Sequence, residues 1–155
     1  MAHKLPFERE IRNLSKQKYL LAIRLLDAIT SEKKPCDFLA MNEKGGLVAI
    51  EAKARRGDVF KFSWVPAHQR EALSMVANTK HGEAYLAVNL RTATGPGHSW
   101  MIPWETWLEF ESGWHKKSAR REELREYFNE YELIRITAGW RFSEQHRFRC
   151  DPQRR

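Results

Sequence analysis

A turn-rich stretch of hairpin length, Asn42-Glu43-Lys44-Gly45-Gly46, separates two strand-like apolar runs at residues 36–41 and 47–53. No other feature constrains the fold as much. If the two strands pair symmetrically about Lys44, Met41 faces Leu47, Leu39 faces Ala49 and Asp37 faces Glu51. Residues directly opposite share one sheet face, with Cβ atoms about 4.5–5.5 Å apart. Lys53, two residues beyond Glu51, points to that same face. The pattern therefore predicts two carboxylates and one ammonium converging at one end of a hairpin. A register slip of one residue would separate Glu51 from Asp37.

The remaining elements follow from periodicity and punctuation. Phe7, Ile11, Leu14, Leu21, Leu25 and Ile29 form one stripe of an amphipathic helix over 7–29, with Lys18 interrupting it and snorkelling at its edge. Pro35 ends any helix before Lys34. Residues 59–62 extend the sheet, and Pro66 opens a helix through about Asn78, with Gly82 beyond its end as a stop signal. A buried strand is expected over 84–90, a turn at Thr94-Gly95-Pro96-Gly97, and a short strand over 99–102. Pro103 opens a helix through Phe110. Residues 116–131 read as a charged helix, 133–136 as a closing strand, and the basic, aromatic tail after Gly139 has no clear period. The order of elements predicts a single α/β domain over 1–155, with helices packed on both sides of a mixed sheet.

Composition narrows the partners. Lys and Arg number 27 against 20 Asp and Glu, a formal net charge of +7. That balance suits a polyanion such as nucleic acid, because basic side chains gain affinity by releasing counterions from phosphates. Simple solubility is the competing explanation. Cys36 and Cys150 make neither a disulfide framework nor a C-x-x-C pair, and the six scattered histidines argue against zinc. No apolar run has membrane-spanning length and no secretory segment is evident, so a cytoplasmic setting is the expectation.

Charges within the apolar strand Ile50-Glu51-Ala52-Lys53 are costly unless they serve a purpose. Two facing carboxylates repel unless a cation sits between them. Oxygen ligands with open positions suit Mg2+, which is held by one or two carboxylates together with phosphate and water. Such an ion acidifies water and neutralises charge on a phosphodiester, while Lys53 orients or deprotonates that water or stabilises the phosphorus. The alternative is a salt-bridged surface in which Lys53 merely neutralises Glu51. Lys33 and Lys34 precede this motif, and Arg55, Arg56 and Lys61 follow it. These five are the candidate DNA-phosphate contacts, the alternative being solvated loop charge.

Pro35-Cys36-Asp37 followed by Glu51-Ala52-Lys53 resembles the PD-(D/E)xK nuclease motif. With Ala54, Phe60, Phe62 and Ala67-His68-Gln69 in order, the chain from Phe7 to Phe110 resembles the RecU family of Holliday-junction resolvases. The resemblance implies a restriction-endonuclease-like α/β/α sandwich and Mg2+-dependent cleavage of four-way DNA, with Mn2+ a possible substitute, by a homodimer. It implies that Asp37 and Glu51 hold the metal with the Ala52 carbonyl as a further ligand, and that Lys53 is the catalytic lysine. Gln69 would organise metal and water, and Glu8 would be an acidic residue on the first helix near the metals. Glu8 also reads as a carboxylate stabilised at a helix start, and His68 as a helix-surface residue packed against the sheet.

One departure from RecU is plain: only Thr30-Ser31-Glu32-Lys33-Lys34 stands between the first helix and Pro35, where that family carries a long stalk. Compact archaeal-type resolvases share the motif without the stalk. The tryptophans, Trp100, Trp104 and Trp107 among them, serve either a dimer interface or the interior. Two further readings stay open, another PD-(D/E)xK nuclease of restriction or repair-nicking type and a non-catalytic DNA-binding module.

Overall fold

The computed structural model describes residues 5–26, 33–136 and 139–142. Five strands form the central sheet: β1 (Leu21–Arg24), β2 (Phe38–Met41), β3 (Leu47–Arg56), β5 (Glu83–Arg91) and β6 (His98–Pro103), side by side in that order. β3 and β5 run parallel and the other neighbours are antiparallel, so the sheet is mixed as expected. The parallel pair requires a crossover, which passes through β4 (Val59–Lys61) and α2 (Ala67–Ala77).

Side-chain alternation on β3 builds two apolar layers. Val48, Ile50 and Ala52 face α1 (Leu5–Lys18), where Phe7, Ile11 and Leu14 cover them. Ala49 faces the opposite layer, with Leu86, Val88 and Leu90 of β5, Leu73 of α2, and Trp104, Trp107 and Phe110 of α3 (Trp104–Gly113). This is the expected α/β/α arrangement. Trp100, Trp104 and Trp107 are fully buried here, so they fill the interior and present no surface to a second copy.

Two sequence expectations are corrected. The first helix ends at Lys18, and Leu21 starts an edge strand. The Leu20 amide donates to the Met41 carbonyl at 3.0 Å, and Leu21, Ala22, Ile23 and Arg24 pair along β2. Ladder bonds to β2 replace those a longer helix would have made. Ile29 lies outside the described residues. Nor does Lys18 snorkel: its buried ammonium lies 5.0–5.2 Å from the rings of Tyr19, Tyr85 and Phe142, where the aromatic faces stabilise it.

The charged segment 116–131 is likewise not one helix. It divides into β7 (Ser118–Arg120), α4 (Arg121–Tyr127) and a 3-10 turn, because β7 pairs with β4. The Glu123 carboxylate accepts from the Arg120 amide at 2.7 Å and caps the start of α4. Past the charged segment, β8 (Ile134–Ile136) pairs with β9 (Gly139–Arg141), so ordered structure continues beyond residue 139.

Candidate active site

Hairpin register depends on one turn. Asn42 is buried; its Oδ1 accepts from the amides of Gly46 (2.7 Å) and Lys44 (3.2 Å), while its Nδ2 donates to the His81 carbonyl and to Glu83 Oε1, both at 2.8 Å. Gly45 takes the left-handed conformation (φ +73°) that closes the turn. The strands then pair with Met41 opposite Leu47, Leu39 opposite Ala49 and Phe38 opposite Ile50. Asp37 stands one residue ahead of β2, at the place in this register that faces Glu51. There its carboxylate takes over from the ladder: Oδ2 accepts from the Ala52 amide at 2.9 Å.

Glu51 and Lys53 both lie on the α2 side of β3, as alternation demands. Lys53 Nζ donates to Glu51 Oε1 at 2.5 Å and to Gln69 Oε1 at 2.9 Å. Gln69 is buried in the first turn of α2. Its neighbour Arg70 anchors that turn, donating to the Val65 and Phe62 carbonyls and gripping Glu111 of α3 bidentately at 2.6 and 2.8 Å. The Arg70–Glu111 pair spans 41 residues of sequence, so no local pattern pointed to it.

The electrostatics are those of a crowded acid pair. Glu51 is only 1% exposed. Burial, followed by the negative charge of Asp37, pushes its carboxyl up to about 7 against the pull of Lys53. Its Oε2 is buried with no hydrogen-bond partner among the described residues, which is expensive unless a ligand completes it. Lys34 donates to Asp37 Oδ1 at 2.7 Å, so its ammonium sits on the acid pair instead of standing free for phosphate. Burial also raises the Cys36 thiol to about 11, consistent with a structural role.

The remaining candidates are dispersed. Glu8 pairs with Arg24 of β1 at 2.6 Å on the α1 side of the sheet, the face opposite Glu51 and Lys53. Lys33 is exposed ahead of Asp37. Strand alternation splits the basic pair: Arg55 lies over the Trp64 ring at 5.1 Å, whereas Arg56 joins a cleft beside α1. Lys61 is exposed on β4, beside Arg70 and Glu111 in a groove of its own. His68 is half-buried at the start of α2.

Among the described residues no group of three or more His, Cys, Asp and Glu side chains converges. A cation here would be held by two carboxylates, with oxygen from the backbone, solvent or substrate completing its shell. That donor set suits Mg2+ and not zinc. The unpartnered Glu51 Oε2 provides the open acceptor that such an ion needs.

No family model matches this chain, and no curated protein matches it. Among solved structures it is similar to Hjc of Archaeoglobus fulgidus, a Holliday junction resolvase from an archaeal hyperthermophile. The two are 30% identical, with 64% of this chain and 76% of that one covered, at a TM-score of 0.45. The likeness supports the resolvase nucleases as a group and does not extend to the RecU type. By sequence identity over three quarters of that resolvase, together with its own restriction-endonuclease-like mixed sheet, this chain belongs to the Holliday-junction resolvase nucleases.

Proposed function

We propose that this protein resolves four-way DNA junctions by divalent-metal-dependent hydrolysis of phosphodiesters. The observation that carries the proposal is the buried, unpartnered Glu51 Oε2 beside Asp37 and Lys53. Asp37 and Glu51 are the metal-holding acids. A residue's N–H and C=O leave a strand on the same side. The Ala52 carbonyl is therefore aimed toward the Asp37 edge that its amide already contacts, in keeping with a third ligand role. When bound, Mg2+ (or Mn2+ in its place) acidifies water and offsets charge on the scissile phosphate.

Lys53 is the catalytic lysine. Its bond to Gln69 holds the ammonium in place, and release from Glu51 on metal binding would free it for the attacking water or the phosphate. Gln69 is a positioning residue. Glu8 braces β1 from α1 through Arg24, and no direct contact with the metal-holding acids is assigned to it. Lys33, Lys34, Arg55, Arg56 and Lys61 are assigned to phosphates, and Lys34 would be available for this only where a metal took its place on Asp37.

Two matched cuts require two centres, and a homodimer with isologous contacts supplies them. An exposed apolar row supports this assembly: Leu21, Met41 and Leu47 align across β1, β2 and β3, with Ile23 beside them on the same face. Such a patch on a sheet edge is costly to leave in water.

The test is cleavage of a labelled four-way junction beside linear duplex of the same sequence, in Mg2+. Preferential paired incision of the junction is expected. Equal cutting of both substrates would favour a restriction-like or nicking nuclease, and binding without cutting in either Mg2+ or Mn2+ a non-catalytic module.

A further inference from the structure

An open cleft of about 430 Å³ lies at the end of the sheet where β3 and β5 finish. Arg56 ends β3 and pairs in register with Arg91, which ends β5. Arg135 of β8 forms the third cationic wall, and Glu10 is the acid in the cleft, leaving an excess of two positive charges. The cleft shares its face with α1, opposite the side on which Glu51 and Lys53 lie.

The cleft is held in shape by its own contacts. Buried Asn89 donates to the Pro96 and His98 carbonyls (3.0 and 3.2 Å) and to Ser99 Oγ (2.8 Å), pinning the 92–97 loop. Its Oδ1 accepts from Arg91 Nε at 3.0 Å. Among the described residues neither terminal nitrogen of Arg91 has a hydrogen-bond partner, so its fork remains open to a ligand. Gly97 (φ +69°) passes so close to Leu90 that a Cβ would lie 1.8 Å from the Leu90 carbonyl oxygen. Across the cleft, Glu10 accepts from Arg135 at 2.9 Å and from Trp140 Nε1 at 2.7 Å, and the Arg135 guanidinium lies 5.1 Å from the Trp140 ring. Arg56 has no ion pair among the described residues. The guanidinium groups of Arg91 and Arg135, fixed in this way, match phosphate oxygens with little ordering cost.

We infer that this cleft binds the phosphodiester backbone of a second arm of branched DNA, while the first arm occupies the Asp37–Glu51–Lys53 centre. The inference rests on the nuclease reading above and adds the surface that distinguishes a junction from a duplex. Arg56 lies five positions beyond Glu51 on β3, roughly 16 Å along the strand, and the sheet stands between the two sites. A straight duplex lies along one face. Only DNA that turns around the end of the sheet meets both sites, and a branch point makes such a turn. The loss of Arg56 from the centre side therefore has a use on the other face.

The experiment measures affinity for a four-way junction and for linear duplex, without divalent metal, across a salt series. Arg56→Ala/Arg91→Ala is compared with Lys44→Ala/Lys80→Ala, which removes the same charge at exposed positions near the opposite end of β3 and β5. We expect the first pair to lower the junction-to-duplex affinity ratio about tenfold and to reduce the salt slope for the junction by about 2, one per lost phosphate contact. The Lys44/Lys80 pair should leave the ratio unchanged. An unchanged ratio in the arginine pair, or an equal fall in the lysine pair, overturns the inference. Wild-type cleavage in Mg2+, run in parallel, separates the two failures. Cutting with an unchanged ratio removes the second-arm cleft alone; a wild type that neither binds nor cuts DNA removes both.

Discussion

Glu51 sets the chemistry at the scale of single residues, and its protonation gives a signed prediction. Its folded-state carboxyl titrates near 7 instead of the ordinary 4.5, first because it is buried and second because Asp37 faces it. Between those values the folded chain holds a proton that the unfolded chain has lost. Metal-free protein should therefore lose stability as pH rises from about 4.5 to 7 and change little from this source above it. The loss has an upper limit of about 3 kcal/mol. Urea denaturation in chelator at pH 5 and pH 8 checks this, and Glu51→Gln should flatten the difference. Mg2+ at 100 times its dissociation constant should restore about 2.7 kcal/mol at pH 8, read as a rise in the denaturation midpoint; no rise would count against a metal between the acids. Lys53→Ala and Asp37→Asn should each lower junction cleavage at least about 100-fold while junction binding stays largely intact, as single-turnover assays and gel shifts would report. The Asp-Glu-Lys set was legible because strand alternation and hairpin register depend on spacing alone. That Lys34 occupies Asp37 was not, since a flexible side chain chooses its partner only once Asp37 is in place.

The turn that joins β2 to β3 governs register for whole elements. Asn42 makes four hydrogen bonds through its side chain, so Asn42→Ala leaves several polar groups unpaired and should cost about 1–3 kcal/mol. Gly46→Ala should be worse, because a Cβ there would sit 1.8 Å from the His81 carbonyl oxygen. Thermal melts measure both, and a wild-type melting temperature for Gly46→Ala would contradict the close approach. Helix α2 depends on a distant anchor: Arg70→Ala frees its first turn from α3. Gln69 then loses its fixed place against Lys53, and cleavage should fall more than the melting temperature alone explains. At this scale the sequence announced β3, α2, β5, β6 and α3 with ends shifted by a few residues. It misassigned residues 21–24, whose apolar spacing fits a helix stripe as well as a strand. Pairing with β2 decides between them, and no local pattern encodes that partner.

For the molecule as a whole, the exposed row Leu21, Met41 and Leu47 makes assembly testable. If this face joins two copies, Leu21→Asp/Met41→Asp should convert a dimer to a monomer by light scattering and uncouple the two incisions of a junction. Wild-type protein that is monomeric at micromolar concentration would overturn that assembly. The tryptophans belong to the interior: Trp107 contacts Phe60, Phe62, Phe110 and Phe128 in one aromatic cluster, so Trp107→Ala should cost about 3–5 kcal/mol.

By itself, the amino-acid sequence determined the α/β class, the hairpin and the residues meeting at its end, because turn residues and a period of two act over short distances. Only the tertiary structure decided that Arg55 and Arg56 part to opposite faces, that Glu8 pairs with Arg24, and that Arg56, Arg91 and Arg135 gather in one cleft. Those groupings join residues far apart in the chain, and long-range packing of strands and helices brings them together.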